Sequence, residues 1–303
     1  MRNGGLRTLP VDMQDAPDLR GREQQENFPV ALGLLPGRHR EALHALYGFA
    51  RTVDELGDSH AGDRTAALRS FDADLDRVWS GAVPDHTVLR RLAPVVLRCG
   101  LPAEPFHRLV EANLQDQVVS RYATFTDLLG YCRLSADPVG RMVLGVFGVD
   151  DAETVRLSDR VCTALQLLEH WQDVAEDRRA GRVYLPQEDL RQYAVPEADL
   201  DRREASPALC ALMRFETDRA AAILQEGAGI VDRLDGWARV GVAGFVAGGL
   251  ATVRALRRTG GDVLAHTARP SKPGTAATAL RLLSASLVRP ARLRAGLPRG
   301  AAR

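Results

Sequence analysis

Apolar residues recur at helical spacing along most of the chain, and the alternation typical of β-strands is hard to find. The first such stretch runs from about 38 to 58 and begins after Pro36. Its apolar face carries Leu43, Leu46, Ala50 and Val53. Further helices are predicted at about 63–80, 87–99, 103–121, 125–148, 152–179, 207–234 and 237–260. The pattern predicts one all-α domain of roughly 250 residues with loose ends.

A ladder of acidic residues stands out against this apolar pattern. Glu169, Asp173 and Asp177 recur every four residues, so on a helix they lie on one face. Like charges at this spacing destabilise a helix by about 0.2–0.5 kcal/mol per pair. Three or four residues away, the one basic group is His170, and an imidazole is mostly neutral at pH 7. The preceding segment is apolar nearly all round, which predicts buried carboxylates that need a metal, a proton or a cationic partner.

A second acidic pair lies at the end of the first predicted helix. Asp54 and Asp58 are also four residues apart, and Arg51 shares their face. A purely structural account exists here, since Arg51 can pair with Asp54 or Glu55. Two such pairs on separate helices nevertheless suit Mg²⁺, which binds carboxylates together with water and substrate phosphates. The pairs predict two helices that face each other and hold Mg²⁺ between their carboxylates. The bound ions would stabilise the negative charge on a diphosphate leaving group.

Composition restricts the alternatives. With 45% hydrophobic and 26% charged residues, the chain is typical of soluble globular proteins. The four cysteines form no CxxC pair, which predicts free thiols in a reducing cytoplasm, without a disulfide frame or a zinc site. The N-terminus lacks the apolar region of a secretory signal. The longest apolar run, at 240–253, is shorter than the ~20 residues of a membrane span and predicts a buried or membrane-touching helix.

The charge is unevenly distributed along the chain. Residues 263–303 contain eight Arg or Lys and no acidic residue, whereas the preceding 262 residues hold 32 basic and 39 acidic groups. Such a tail predicts contact with an anionic surface, with a merely solubilising role as the alternative. Aromatic residues are absent after Phe245, so the tail has nothing to stack on bases. We therefore expect peripheral contact with the inner face of the membrane and no nucleic-acid partner.

Three stretches carry a family resemblance. ENFPVALGLLPGRHREALHALYGFARTVDELGD at 26–58 and LQLLEHWQDVAEDRRAGRVYLPQEDL at 165–190 resemble the two signature regions of the squalene/phytoene synthase family. RYATFTDLLGYCRLSADPVGRMVLGVFG at 121–148 resembles its central segment. The resemblance implies a single-domain class I terpenoid synthase fold, all-helical around a deep apolar cavity. It places the domain at 26–265, between a flexible leader at 1–25 and the basic tail at 266–303.

The resemblance also implies roles for individual residues. Mg²⁺ ligands would be Asp54, Asp58, Asp173 and Asp177, and we expect Glu169 to join them where the family usually has Asn. The predicted catalytic residues are Tyr131, Arg51 and Tyr184. Of these, Arg51 would face the diphosphate, Tyr131 the reaction centre and Tyr184 the cavity mouth. The alternative for Tyr131 is a purely structural role in the core.

The predicted substrate-binding residues are Phe28, Arg51 and Gln166. Gly248, in the apolar run, is predicted to leave room for an isoprenoid chain, and His170 and Cys162 are taken as structural.

Within the family, NFPVA at 27–31, SADPVGR at 135–141 and WQDV at 171–174 resemble bacterial hydroxysqualene synthases. This implies Mg²⁺-dependent ionisation of presqualene diphosphate, rearrangement, and water capture to give hydroxysqualene, with upstream and downstream squalene-pathway enzymes as partners. The alternatives are head-to-head condensation of two prenyl diphosphates to presqualene diphosphate or a phytoene-like product, another fate for a prenyl diphosphate, and a non-catalytic scaffold. Gln172, where other branches have Arg, is taken to disfavour condensation.

Two further departures from the family pattern affect the site. Glu55 replaces the second acidic residue of the usual DDxxD motif, which becomes DExxD here. Gly261 stands where the family commonly has an aromatic residue, and we expect the missing ring to change the shape of the cavity. The four principal aspartates are all present, which argues against a non-catalytic scaffold.

Overall fold

The computed structural model describes residues 35–288, and this part of the chain is built from helices. They are α1 (Gly37–Asp58), α2 (Arg64–Leu75), α3 (Arg77–Ser80), α4 (Thr87–Cys99), α5 (Glu104–Asp116), α6 (Phe125–Ser135), α7 (Asp137–Val146), α8 (Ala152–Gln172), α9 (Val174–Arg179), α10 (Gln187–Gln192), α11 (Pro207–Gly227), α12 (Ile230–Arg233), α13 (Gly236–Arg258) and α14 (Lys272–Val288). A 3₁₀ turn, Glu197–Asp201, precedes α11. The described residues form a single isolated β-bridge, between Arg121 and Val183, and no strand. The all-α prediction is confirmed.

Four predicted helices are each divided in two in the structure: those at 63–80, 125–148, 152–179 and 207–234. The one at 125–148 is interrupted at Ala136, which ends α6, and Pro138 lies in the first turn of α7. Proline is tolerated at a helix start because the first backbone N–H groups have no partner within the helix. The break cannot be recognised from the apolar period of the sequence, because both helices bury their apolar faces in the same core and the period continues across it.

The predicted helix at 152–179 breaks at Asp173, whose φ of −104° and ψ of 15° separate α8 from α9. The helical hydrogen bonds continue across the break. Asp173 N–H donates to the carbonyl of Glu169 at 3.0 Å, and Asp177 N–H donates to the carbonyl of Asp173 at 2.8 Å. The three ladder residues therefore keep a spacing of one turn.

The core consists of two hydrophobic clusters. One joins α1, α2, α4 and α5 around Phe49, Phe71 and Phe106. The other joins α6, α8, α11 and α13 and includes the fully buried Trp171. Helix α7 contributes to both, through Met142 to the first cluster and Leu144 to the second. The two acidic pairs thus belong to helices of different clusters.

Helix α14 packs on α13 and begins within the predicted tail. Arg254 Nη2 donates to Thr278 Oγ1 at 2.6 Å, and Arg239 Nη2 donates to the carbonyl of Leu283 at 2.9 Å, so the two helices run antiparallel. The described part of segment 266–303 therefore includes an ordered helix. The leader, Phe28, the NFPVA stretch and residues 289–303 lie outside the described residues, and the domain limits and membrane contact stay predictions.

Helix α13 contains the longest apolar run. Among the described residues it is the one helix long and apolar enough to cross a membrane, by length and composition. Of its apolar stretch, 67% is buried inside the fold, as in the core helix of a soluble protein, so this is weak support for a membrane span. All four cysteines are free thiols, as predicted.

Gly261 is fixed by the backbone around it. Its φ is +96°, a conformation that residues with side chains rarely adopt, and a Cβ there would lie 2.3 Å from the carbonyl oxygen of Cys210. Gly261 therefore permits close packing between the turn after α13 and the start of α11. This packing leaves no room for an aromatic ring at position 261, and Gly261 is not among the residues that line the cavity described below. The expected effect of the missing ring on cavity shape stays a prediction.

We expect Gly261→Ala to destabilise the fold more than Gly260→Ala. Gly260 also has a positive φ, +66°, but a Cβ there meets no heavy atom within 4 Å. Gly260→Ala should cost about 1–2 kcal/mol for the left-handed conformation alone. Gly261→Ala should cost about 1–3 kcal/mol more, because the backbone of Cys210 must move. Urea unfolding of both variants measures the difference, and equal losses would contradict the packing argument.

Candidate active site

A cavity of about 350 Å³ lies between helices of the two core clusters. All five predicted metal ligands line it: Asp54, Asp58, Glu169, Asp173 and Asp177. Helix α1 supplies the first two, and the end of α8 with the start of α9 supplies the others. The two acidic pairs therefore share one cavity, and their role as ligands stays a prediction.

These carboxylates are more exposed than the sequence predicted. Asp54, Asp58, Glu169 and Asp173 are exposed, and Asp177 is half-buried. The reason is that α8 buries its other side, where Trp171 is 0% exposed, and turns the ladder toward the open cavity. Exposure to the open cavity lowers the desolvation cost of these carboxylates relative to a closed core, although Asp173 still carries part of it.

Arg182 supplies positive charge that the helix around the ladder lacks. It follows Gly181, whose φ of +83° turns the chain after α9, and its backbone N–H donates to the carbonyl of Asp177 at 2.9 Å. Its Nη1 donates to Asp58 Oδ1 at 2.9 Å, which joins this loop to the end of α1. Its Nε is buried without a hydrogen-bond partner among the described residues. The helical spacing rule missed Arg182 because it lies in a loop five residues after Asp177.

The cavity raises the pKa of Asp173 to about 6. Desolvation by the surrounding wall is the largest cause, followed by repulsion from Asp177 and Glu176, and His170 acts in the opposite direction. The side chain is still accessible from the open cavity. Asp173 therefore binds a proton, or a cation in its place, more readily than an ordinary aspartate.

The donor atoms fit Mg²⁺ bound together with a diphosphate. Among residues 35–288, no three Asp, Glu, His or Cys side chains converge closely enough to hold one ion by themselves. The carboxylates lie instead in separate pairs, and Asn113 Nδ2 donates to Asp54 Oδ1 at 3.3 Å. Mg²⁺ typically uses one or two carboxylates and completes its shell with water and substrate phosphates. A spread set of oxygen donors suits this ion and differs from the compact ligand sets of zinc.

Another part of the cavity lining is aromatic. Tyr131 and Tyr184 are 6% and 7% exposed, and the ring of Tyr184 stacks on His170 with centroids 3.7 Å apart. Tyr184 thus lies within the wall of the cavity, and its expected place at the cavity mouth stays a prediction. His170, taken as structural from sequence, also lines the cavity. Its Nε2 is 3.2 Å from Gln166 Nε2, and its Nδ1 is 3.8 Å from Asp177 Oδ2.

Asp116, at the end of α5, is a site residue that sequence reasoning missed. Tyr131 OH donates to its Oδ2 at 2.7 Å, and Tyr184 OH donates to its Oδ1 at 3.4 Å. Burial raises the pKa of Asp116 to about 6, while the Tyr131 hydrogen bond and the charges of Arg182 and His170 lower it. A single aspartate at a helix end carries no spacing signal, so only the tertiary structure reveals it.

Three residues invoked from sequence lie outside the lining of this cavity. Arg51 Nε donates to Glu55 Oε1 at 3.0 Å, the local pairing considered as an alternative. Gly248 is buried, and a Cβ there would meet no heavy atom within 4 Å, so there is space beside it. Gln172 Nε2 donates to the carbonyl of Ala268. Position 172 does not line the cavity, so an arginine there would not contact a diphosphate bound in it. The absence of this arginine is therefore no longer an argument against condensation.

A family model described as squalene/phytoene synthase matches residues 22–275. The chain belongs to the squalene/phytoene synthase family. Enzymes of this family act on prenyl diphosphates and generally use a divalent metal. The resemblance seen in the sequence is confirmed.

Individual relatives carry different activities in their names. Over 220 residues, the chain is 34% identical to the hydroxysqualene synthase of Rhodopseudomonas palustris, covering 71% of this chain and 74% of the relative. Over 209 residues, it is 33% identical to the 15-cis-phytoene synthase of Synechococcus elongatus, covering 64% and 68%. The crystal structure of squalene synthase HpnC from Alicyclobacillus acidocaldarius matches with a TM-score of 0.73 and 39% identity, over 80% of this chain and 92% of that chain.

We expect Arg182→Gln to increase the stabilisation that Mg²⁺ gives the free protein. Without the guanidinium the cavity carboxylates repel one another more strongly, so a bound cation relieves more repulsion. The matched control is Arg178→Gln, which removes an arginine paired with Glu197 and Asp201 outside the cavity lining. Thermal unfolding with and without millimolar Mg²⁺ gives the comparison. If both variants shift as the wild type does, Arg182 is not the counter-charge of the site.

Proposed function

We propose that the protein catalyses Mg²⁺-dependent ionisation of presqualene diphosphate, followed by rearrangement and water capture, to give hydroxysqualene and diphosphate. The observation that carries the proposal is the shared cavity, in which two aspartate pairs and a tyrosine-lined wall occupy one space. Similarity to a hydroxysqualene synthase and to squalene synthase HpnC supports it. The cavity has an acidic part suited to the ionisation of the diphosphate and an aromatic part suited to the carbocation that follows.

The acidic end suits the diphosphate. Asp54 and Asp58 with Asp173 and Asp177 would hold Mg²⁺, which supplies the charge that stabilises a departing diphosphate. Asn113 fixes an oxygen of Asp54 at 3.3 Å, and Arg182 fixes one of Asp58 at 2.9 Å. These contacts orient the first pair before the substrate arrives. They also place a guanidinium beside the expected position of the leaving group.

The aromatic part suits the carbocation that remains. Tyr131 and Tyr184 lie with ring centroids 5.6 Å apart, and both pack against Tyr122 behind them. Ring faces stabilise a nearby cation by about 0.5–2 kcal/mol each, and more where water is excluded. Ala50, Leu109 and Val139 add apolar surface against which hydrocarbon chains can lie. The packed rings need little reorganisation when charge develops.

Head-to-head condensation of two prenyl diphosphates is the alternative, because a 15-cis-phytoene synthase is 33% identical to this chain. It needs the same ionisation chemistry at the acidic end. The two functions differ in the substrate consumed and in whether water enters the product. A product analysis therefore separates them without any structural assumption.

We expect purified protein with Mg²⁺ to convert presqualene diphosphate to hydroxysqualene without NADPH, and to leave farnesyl diphosphate unchanged. Separate incubations with each substrate, followed by mass spectrometry of the lipid extract, provide the test. A control with EDTA shows whether the conversion depends on the metal. Formation of presqualene diphosphate or a phytoene-like hydrocarbon from prenyl diphosphates would establish the alternative instead.

We expect Asp173→Asn to abolish turnover and Glu169→Asn to retain it with weaker dependence on Mg²⁺. Both changes remove one charge from the same ladder, but the family usually has Asn at the position of Glu169. A loss of at least ~100-fold is expected for Asp173→Asn, because charge stabilisation at the leaving group is lost. Turnover measured against Mg²⁺ concentration gives both values. Unchanged Mg²⁺ dependence in Glu169→Asn would show that Glu169 takes no part in metal binding.

A further inference from the structure

Asp116 is a cavity carboxylate that belongs to neither acidic pair. It ends α5, whereas the pairs come from α1 and from the junction of α8 and α9. Its two oxygens accept from different tyrosines, Tyr131 at 2.7 Å and Tyr184 at 3.4 Å. Its hydrogen bonds thus come from the aromatic part of the lining, whereas Asp58 of the predicted diphosphate site is paired with Arg182.

The Tyr131–Asp116 contact has the geometry of a path for a proton. An O–H···O⁻ distance of 2.7 Å is typical of a charge-assisted hydrogen bond, in which the phenolic proton already points at the carboxylate. Both groups line the cavity, so a molecule bound there can reach the phenolic oxygen. Such an arrangement lets the phenol receive one proton while passing another on.

Three other acid–base groups in the lining have partners other than the tyrosine hydroxyls. His170 has Nε2 beside Gln166 and Nδ1 beside Asp177. Asp58 is paired with Arg182, and Asp54 accepts from Asn113. Among the residues that line the cavity, Asp116 is thus the carboxylate that accepts hydrogen bonds from the tyrosine hydroxyls.

We propose that Asp116 is the proton acceptor for the water captured by the carbocation, acting through Tyr131. The water oxygen forms a bond to the cationic carbon, and one O–H bond of the water breaks. Its proton goes to the phenolic oxygen of Tyr131 as the phenolic proton moves to Asp116 Oδ2. Asp116 changes from carboxylate to carboxylic acid, Tyr131 stays neutral, and the product is the alcohol. The proton returns to solvent through the open cavity after product release.

This inference rests on the proposed function, because it needs a carbocation that is quenched by water. It treats Asp116 as a positioning and proton-accepting residue behind Tyr131. Burial raises the pKa of Asp116 to about 6, so the carboxylate is ionised at neutral pH yet accepts a proton more readily than an exposed aspartate. The charged groups that act on it are Arg182, His170 and Asp58.

The test measures how products partition, since a residue with only a structural role would change their amount and not their ratio. Asp116→Asn keeps the volume and an oxygen that accepts from Tyr131, but it does not take up a proton. With presqualene diphosphate and Mg²⁺, we expect the ratio of hydroxysqualene to other products to fall by roughly tenfold to hundredfold. Diphosphate release should fall far less. Tyr131→Phe, which breaks the path, should shift the ratio in the same direction.

Two controls keep the outcome interpretable. Asp201→Asn makes the same chemical change at an exposed carboxylate paired with Arg178, and it should leave the ratio unchanged. In the wild type, the share of alcohol should fall as pH drops from about 8 to about 5, because Asp116 becomes protonated. The share should not depend on pH in Asp116→Asn. Asp116→Glu, which restores a carboxylate, should recover part of the alcohol.

The results separate this inference from the proposed function. If the wild type forms no alcohol from presqualene diphosphate, the proposed function fails and the role of Asp116 fails with it. If the wild type forms the alcohol and Asp116→Asn forms it in the same ratio, only the role of Asp116 is overturned. Should Asp116→Asn fail to fold, a pH-independent alcohol share in the wild type overturns the role by itself.

Discussion

Repulsion among carboxylates in one cavity is the constraint on which the rest of this structure depends. Six acidic side chains line the same space, and Arg182 is the one Arg or Lys side chain among the residues that line it. Packing behind the helices opposes the repulsion, with Phe49 and Trp171 both 0% exposed. Burying such a side chain contributes about 1.5–3 kcal/mol, against about 0.2–0.5 kcal/mol for a like-charge pair on a helix. The core therefore holds together an acidic site that favours cations.

The two parts of the cavity differ in their access to water, and the chemistry of each follows from this. The aspartates are largely exposed, which suits ligands that exchange water for a hydrated cation and a diphosphate. The tyrosines are under 8% exposed, so their rings act on a bound cation with little screening. One cavity can thus separate charge into a hydrated anion and a shielded carbocation.

The sequence was most informative where local rules decide the structure. Helix α4 matches its prediction at 87–99 because a regular apolar period ends at Gly100, whose φ is +63°. The acidic pairs were found for the same reason, since helical spacing is a local property. Arg182 and Asp116 were missed because they meet their partners only through the tertiary fold. Arg51 was assigned to the diphosphate by resemblance, whereas in the structure it pairs with Glu55, one turn along the same helix.

The segment Gly181–Leu185 shows how one short stretch serves both parts of the cavity. In an extended chain, alternate side chains point to opposite sides. Arg182 and Tyr184 accordingly line the cavity, while Val183 and Leu185 are 3% and 2% exposed in the core. The segment is fixed by Val183 N–H, which donates to the carbonyl of Ser120 at 2.9 Å. Because Arg182 contacts Asp58 and Tyr184 contacts Asp116, a shift of this strand-like segment would move the counter-charge and the proton path together. The alternation in RVYL thus places on one short segment both Arg182, beside the expected leaving group, and Tyr184, beside the expected carbocation.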